Sequence, residues 1–172
     1  EINAWSNWAW GHGGTLDYPR DGLLPRGPLP TRWMDYRGHY THGKRVVLSY
    51  SIDGRSILET PEQTKHALVH AMQIEGGVPL ILSVAQEPNN DGAISTIGSH
   101  AEGIKSLTKD KTAGDASQSF IISYQSDGGQ IANYTAAAVT GDTFQLRWSI
   151  DSHQRMCLQI PEDQITRNNA IH

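Results

Sequence analysis

The sequence predicts an all-β fold, an antiparallel β-sandwich with an irregular aromatic-rich N-terminal segment. Three observations carry that reading. First, Val46, Leu48, Tyr50 and Ile52 alternate with Val47, Ser49 and Ser51, the period-2 pattern of a strand with one buried face. Asp53-Gly54 follows, a two-residue turn signal that needs φ > 0 at both central positions. With that turn, Ile52 faces Arg55, Tyr50 faces Ile57 and Leu48 faces Glu59, so turn and hydrophobic pattern agree on one register. Second, the segment recurs. GKRVVLSYSID from Gly43 reappears as GDTFQLRWSID from Gly141, each followed by Pro-Glu (Pro61-Glu62, Pro161-Glu162), and IISYQSDGG from Ile121 is a fainter third copy. Third, the chain holds 17 Gly and 8 Pro with only 37% hydrophobic residues, as a turn-rich β fold with long loops requires.

At 172 residues the chain is long enough for one domain with its own core. The expected layout is a single sandwich domain over 1–172, with a loop-rich aromatic segment at 1–42 and the sandwich strands over 43–172. Net charge is −4 and no run of Lys and Arg occurs, which argues against a nucleic-acid partner. No apolar run approaches the ~18 residues of a membrane-spanning helix. Cys157 is the sole cysteine, so no disulfide forms within the chain and covalent haem attachment, which needs CxxCH, finds no site here. Its setting, Met156-Cys157-Leu158, reads as a buried strand residue rather than a nucleophile. The chain opens on Glu1 with no signal-peptide pattern, and it reads as a processed product or a piece of a larger protein.

Residues 1–42 crowd Trp5, Trp8 and Trp10 ahead of Gly11, His12, Gly13 and Gly14, and Pro25, Pro28 and Pro30 break any regular structure before Trp33. After the first hairpin, Thr60-Pro61 with Gln63 resembles a helix start and predicts a helical turn over 61–64. Residues 65–86 read as strand–turn–strand, the second being the apolar run Pro79–Ala85. Asn89 to Gly92 is a turn cluster, Ile94–Ile97 a short strand, and Lys105–Lys111 a charged exposed stretch. Phe120–Tyr124 and Ile131–Val139 form a hairpin around Asp127-Gly128-Gly129. Phe144, Leu146, Trp148 and Ile150 alternate into a last hairpin that returns through Met156–Ile160.

The run Pro28–Pro61, PLPTRWMDYRGHYTHGKRVVLSYSIDGRSILETP, resembles a domain of uncharacterised function in large secreted proteins of Planctomycetes and Verrucomicrobia. The resemblance rests on Pro-Leu-Pro, Trp33, the Tyr-x-Gly-x-Tyr-x-His-Gly pattern from Tyr36 to Gly43, and Arg45-Val-Val-Leu-Ser-Tyr50. In that family the segment precedes a sorbosone-dehydrogenase-like β-propeller and a cytochrome c module. The resemblance implies a periplasmic or secreted location and an electron-transfer setting, with haem c on partner domains or chains and none in this chain. It assigns no catalytic residue.

Among chemistry-bearing residues, His12, His39 and His42 are the outside candidates for a metal, because imidazole is the commonest metal ligand and His39 and His42 are spaced H-x-x-H. No Cys or carboxylate stands at a supporting spacing. His66 and His70 share one face of a strand and read as exposed or satisfied. Asp17, Asp21 and Asp35 share the loops with Arg20, Arg26, Arg32 and Arg37, a pattern of local ion pairs before it is a pair of catalytic carboxylates. No GxSxG, HExxH, P-loop or GxGxxG motif occurs. The ligand or interface candidates are therefore the aromatic and imidazole residues Trp5, Trp8, Trp10, His12, Trp33, Tyr36, His39, Tyr40 and His42. Aromatic faces anchor protein interfaces and also stack on sugar rings. Two functions fit: a non-catalytic docking module of a multi-subunit dehydrogenase-like assembly associated with cytochrome c, or a carbohydrate-binding or carbohydrate-active sandwich using the Trp-rich segment.

Overall fold

The first hairpin forms as its residues dictate. In the computed structural model, β3 (Arg45–Ile52) and β4 (Arg55–Gln63) pair antiparallel with Ile52 opposite Arg55, Tyr50 opposite Ile57 and Leu48 opposite Glu59. Asp53 and Gly54 have φ of 49° and 80°, positive at both central positions as the two-residue turn demands. Tyr50 and Ile57 are 4% and 1% exposed and share the buried face. The structure describes residues 9–11, 14–16, 32–65, 67–86, 91–96, 113–115, 119–127, 130–141 and 145–162.

Every described element is a strand or a turn, and the fold is all-β. The chain gathers into two compact units. One comprises Gly11–Leu80, Thr140–Asp142 and Pro161–His172; the other comprises Glu1–Trp10, Ile81–Val139 and Thr143–Ile160.

The first unit is a four-stranded antiparallel sheet in the order β2-β3-β4-β5, with β2 at Met34–His42 and β5 at Leu68–Ile74. Two of its strands differ from the sequence reading. Met34–His42 falls in the segment expected to be irregular, yet it is a nine-residue strand. Its alternation is obscured because the register against β3 slips between Tyr36 and Gly38, a β-bulge that adds one residue and resets the pattern midway. Gly43-Lys44 then closes the β2–β3 hairpin, and Gly43 alone has positive φ (62°), as a Gly-x turn requires. The helical turn expected over 61–64 is absent, and β4 runs on through Pro61 to Gln63. Pairing with β5 decides this: Pro61 faces His70, and the β3–β4 ladder has already ended at Glu59, so the missing N–H of Pro61 breaks no bond on that side. Thr64 closes the turn instead. Its N–H bonds to Ala67 C=O at 2.9 Å, and its hydroxyl accepts from Ala67 N–H at 3.0 Å.

The second unit has two layers. A five-stranded sheet in the order β1-β6-β12-β11-β8 comprises Ala9–Trp10, Leu80–Gln86, Arg155–Ile160, Arg147–Ile150 and Ala113–Asp115. A three-stranded sheet in the order β10-β9-β7 comprises Gln130–Ala137, Ser119–Asp127 and Asp91–Thr96. β11 lies against β7 and β9, and β12 against β9, which makes this unit a sandwich. Its core includes Leu82, Leu146, Trp148, Met156, Leu158 and Ile160. β12 lies between β6 and β11 in its sheet and is buried on both faces at Met156-Cys157-Leu158. Asp91-Gly92, expected in a turn, instead opens β7, where the pair faces Tyr124 and Ser123.

The first two copies of the repeated segment share two described features. Gly43 and Gly141 both have positive φ (62° and 95°), and Tyr50 and Trp148 are both buried. The copies part at the turn. In the second hairpin, Gln154 N–H bonds to Asp151 C=O at 3.1 Å and Gln154 takes φ 59°, giving a longer loop closed by a left-handed residue.

Candidate functional site

Strand alternation assigns one face of the four-stranded sheet row by row. From the paired registers, Tyr36, Tyr50, Ile57 and Ile74 form one row, and His39, Leu48, Glu59 and Met72 the next. His70, opposite Pro61, lies one row further on. Glu59 is thus a diagonal neighbour of both Tyr50 and His70, within reach across the pleat.

Those three side chains meet. Tyr50 Oη donates to Glu59 Oε2 at 2.5 Å, and His70 Nδ1 lies 2.5 Å from Glu59 Oε1. A carboxylate only accepts, so this contact puts a proton on Nδ1 of His70. Glu59 is 6% exposed, and a carboxylate that far from water needs both donors. The chain Tyr50–Glu59–His70 therefore ties β3, β4 and β5 together at the margin of the buried face.

A second polar pair lies on the same face. Tyr36 Oη is 2.8 Å from His39 Nδ1. Residues three apart on a regular strand point to opposite faces; the extra residue of the bulge brings these two to the same one. No bulge separates His39 from His42, so those two rings lie on opposite faces of β2 and the H-x-x-H spacing does not bring them together. Both histidines sit on a strand, not in loops. Among the described residues no group of three His, Cys, Asp or Glu side chains is arranged to hold a metal ion.

The remaining sequence candidates are dispersed. Trp10 is buried at 8% exposure, on β1 against β6. Trp33 is half-buried, with the Arg32 guanidinium carbon 5.6 Å from its ring centroid and its carbonyl accepting from Asp53 N–H at 2.9 Å. Tyr36 and Tyr40 are 55% and 52% exposed on opposite faces of β2, the end strand of its sheet. Asp35 and Arg37 approach to 3.9 Å in solvent, the local pairing expected of them. Trp5, Trp8, His12, Asp17, Asp21, Arg20, Arg26, His66 and Lys105–Lys111 lie outside the described residues.

Two features escaped the sequence reading. Glu59 and His70 were not paired, although the hairpin register alone puts Glu59 on the face of Tyr50, where a carboxylate must find donors. Arg55, beside the turn, is buried at 2% exposure and donates to three carbonyls: Glu75 O, Val78 O at 2.8 Å and Pro161 O at 3.1 Å. It holds the chain after β5 and the residue after β12 to one point. At the start of the second hairpin's return strand, Arg155 bonds through Nε to Asp151 Oδ2. Asp151 Oδ1 accepts from the N–H groups of His153 and Arg155, each at 2.9 Å. Burial pushes the Asp151 carboxyl up, and these hydrogen bonds with the Arg155 charge outweigh it, holding the group below its ordinary value.

Among known proteins, a domain family of unknown function, DUF6797, matches residues 1–59, which include β1, β2, β3 and β4 as far as Glu59. No curated protein and no solved structure matches the chain.

Proposed function

We propose that this chain is a non-catalytic docking module of a larger secreted assembly, in which haem c and dehydrogenase-like chemistry reside on partner domains or chains. The observation that carries the reading is β2. Among the described strands it is the end of its sheet, nine residues long, with an exposed tyrosine on each face. An end strand offers backbone donors and acceptors to an incoming strand, and exposed aromatic rings supply contact area at low entropic cost. The resemblance over Pro28–Pro61 falls on the same strand and the hairpin behind it. The Tyr50–Glu59–His70 chain supports the reading as a brace for the sheet that presents β2.

The test is association of this chain with the propeller and cytochrome c modules of such an assembly, measured by titration calorimetry. Tyr36→Ser/Tyr40→Ser is expected to weaken binding on the order of tenfold or more, since tyrosines at interface centres carry ~2 kcal/mol or more. Unchanged affinity in the double variant, or no association of the unaltered chain, overturns the proposal. The exposed rings of Tyr36 and Tyr40 also favour a second reading, stacking on carbohydrate. Glycan binding lost in the same double variant, with no affinity for either module, would establish that reading instead.

A further inference from the structure

We draw no further inference here: the strongest candidate, the exposed end of the four-stranded sheet face where Val46, Pro61 and Leu68 lie beyond the Tyr50–Glu59–His70 chain, is an unpartnered face with nothing in the structure to show what covers it.

Discussion

Tyr50 donates its hydroxyl hydrogen to Glu59 Oε2 across 2.5 Å, from a diagonal position on the neighbouring strand. The bond satisfies one oxygen of a carboxylate that is almost out of reach of water. Tyr50→Phe keeps the ring and removes the donor, leaving a buried acceptor short of a partner. The expected cost is about 1–3 kcal/mol, read as a lower urea midpoint with the slope unchanged. His70→Ala removes the donor at Oε1. Because both changes act on one carboxylate, the double variant should depart from the sum of the singles by about 0.5 kcal/mol or more. Strict additivity would show that the three groups do not act as a unit.

The turn makes a second prediction. Gly54 has φ 80° and no atom within 4 Å of where a Cβ would stand, so a side chain there meets no clash and the penalty is conformational. Gly54→Val forces a β-branched residue into the left-handed region and should cost on the order of 1 kcal/mol or more. An unchanged melting temperature would count against the turn geometry. Gly77 is the contrasting case: an added Cβ would approach Arg55 Cγ at 3.3 Å, so Gly77→Ala should also disturb the buried guanidinium.

The Asp53-Gly54 hairpin was legible because local turn chemistry and the alternation of Tyr50 and Ile52 point to one register. The last hairpin was legible because it repeats that pattern around Trp148. β2 was hidden by its own bulge, since the inserted residue shifts the alternation between Tyr36 and His39. Pro61 misled because a Thr-Pro helix-start signal is local, whereas the strand that overrides it is held by β5, whose facing residue is nine positions away. The polar chain was hidden for a related reason. Glu59 and His70 are 11 residues apart and meet only through a β4–β5 register set by the loop from Thr64 to Ala67. Arg55 reaches Pro161 across a separation of 106 residues, which no local pattern encodes.

Asp151 makes the second hairpin sensitive to acid. Its folded-state carboxyl sits below the ordinary value, so the folded state binds this proton less readily than the unfolded chain. The stability it contributes is present above the unfolded value of about 4 and is lost as pH falls through the lower folded value. Asp151→Asn should therefore destabilise at pH 7, and its cost should shrink as the pH falls toward 2. Melting temperatures across that range check the sign; a variant equally destabilised at both ends would assign the effect to the loop shape rather than the charge.

Cys157 is fully buried, and burial, with the Asp151 charge adding to it, pushes its thiol up to about 12. At pH 8 the thiolate fraction is on the order of one part in ten thousand, and the reagent has no access. Iodoacetamide should leave the native protein unlabelled over hours and modify it once in denaturant, as intact mass will show. Rapid native labelling would mean that β12 opens readily.

The bulge on β2 makes the sharpest test, because it joins a backbone oddity to a side-chain pair. Gly38 has φ 126°, a region closed to residues with a Cβ, yet nothing lies within 4 Å of the space a Cβ would fill. Gly38→Ala therefore meets no steric block and should cost about 1–3 kcal/mol through backbone strain alone. The strand can relieve that strain by giving up the bulge. The segment Met34–Tyr36 would then slip by one residue against β3, and every side chain in it would change face. Tyr36 would leave the face of His39, and their 2.8 Å bond would break. The imidazole resonances of His39 report this directly, because the contact of Nδ1 with the tyrosine oxygen fixes which ring nitrogen carries the proton. A destabilised Gly38→Ala variant whose His39 tautomer also changes supports the coupling. One that loses stability with the tautomer intact would mean the bulge persists under strain, and that the Tyr36–His39 pair does not depend on glycine at position 38.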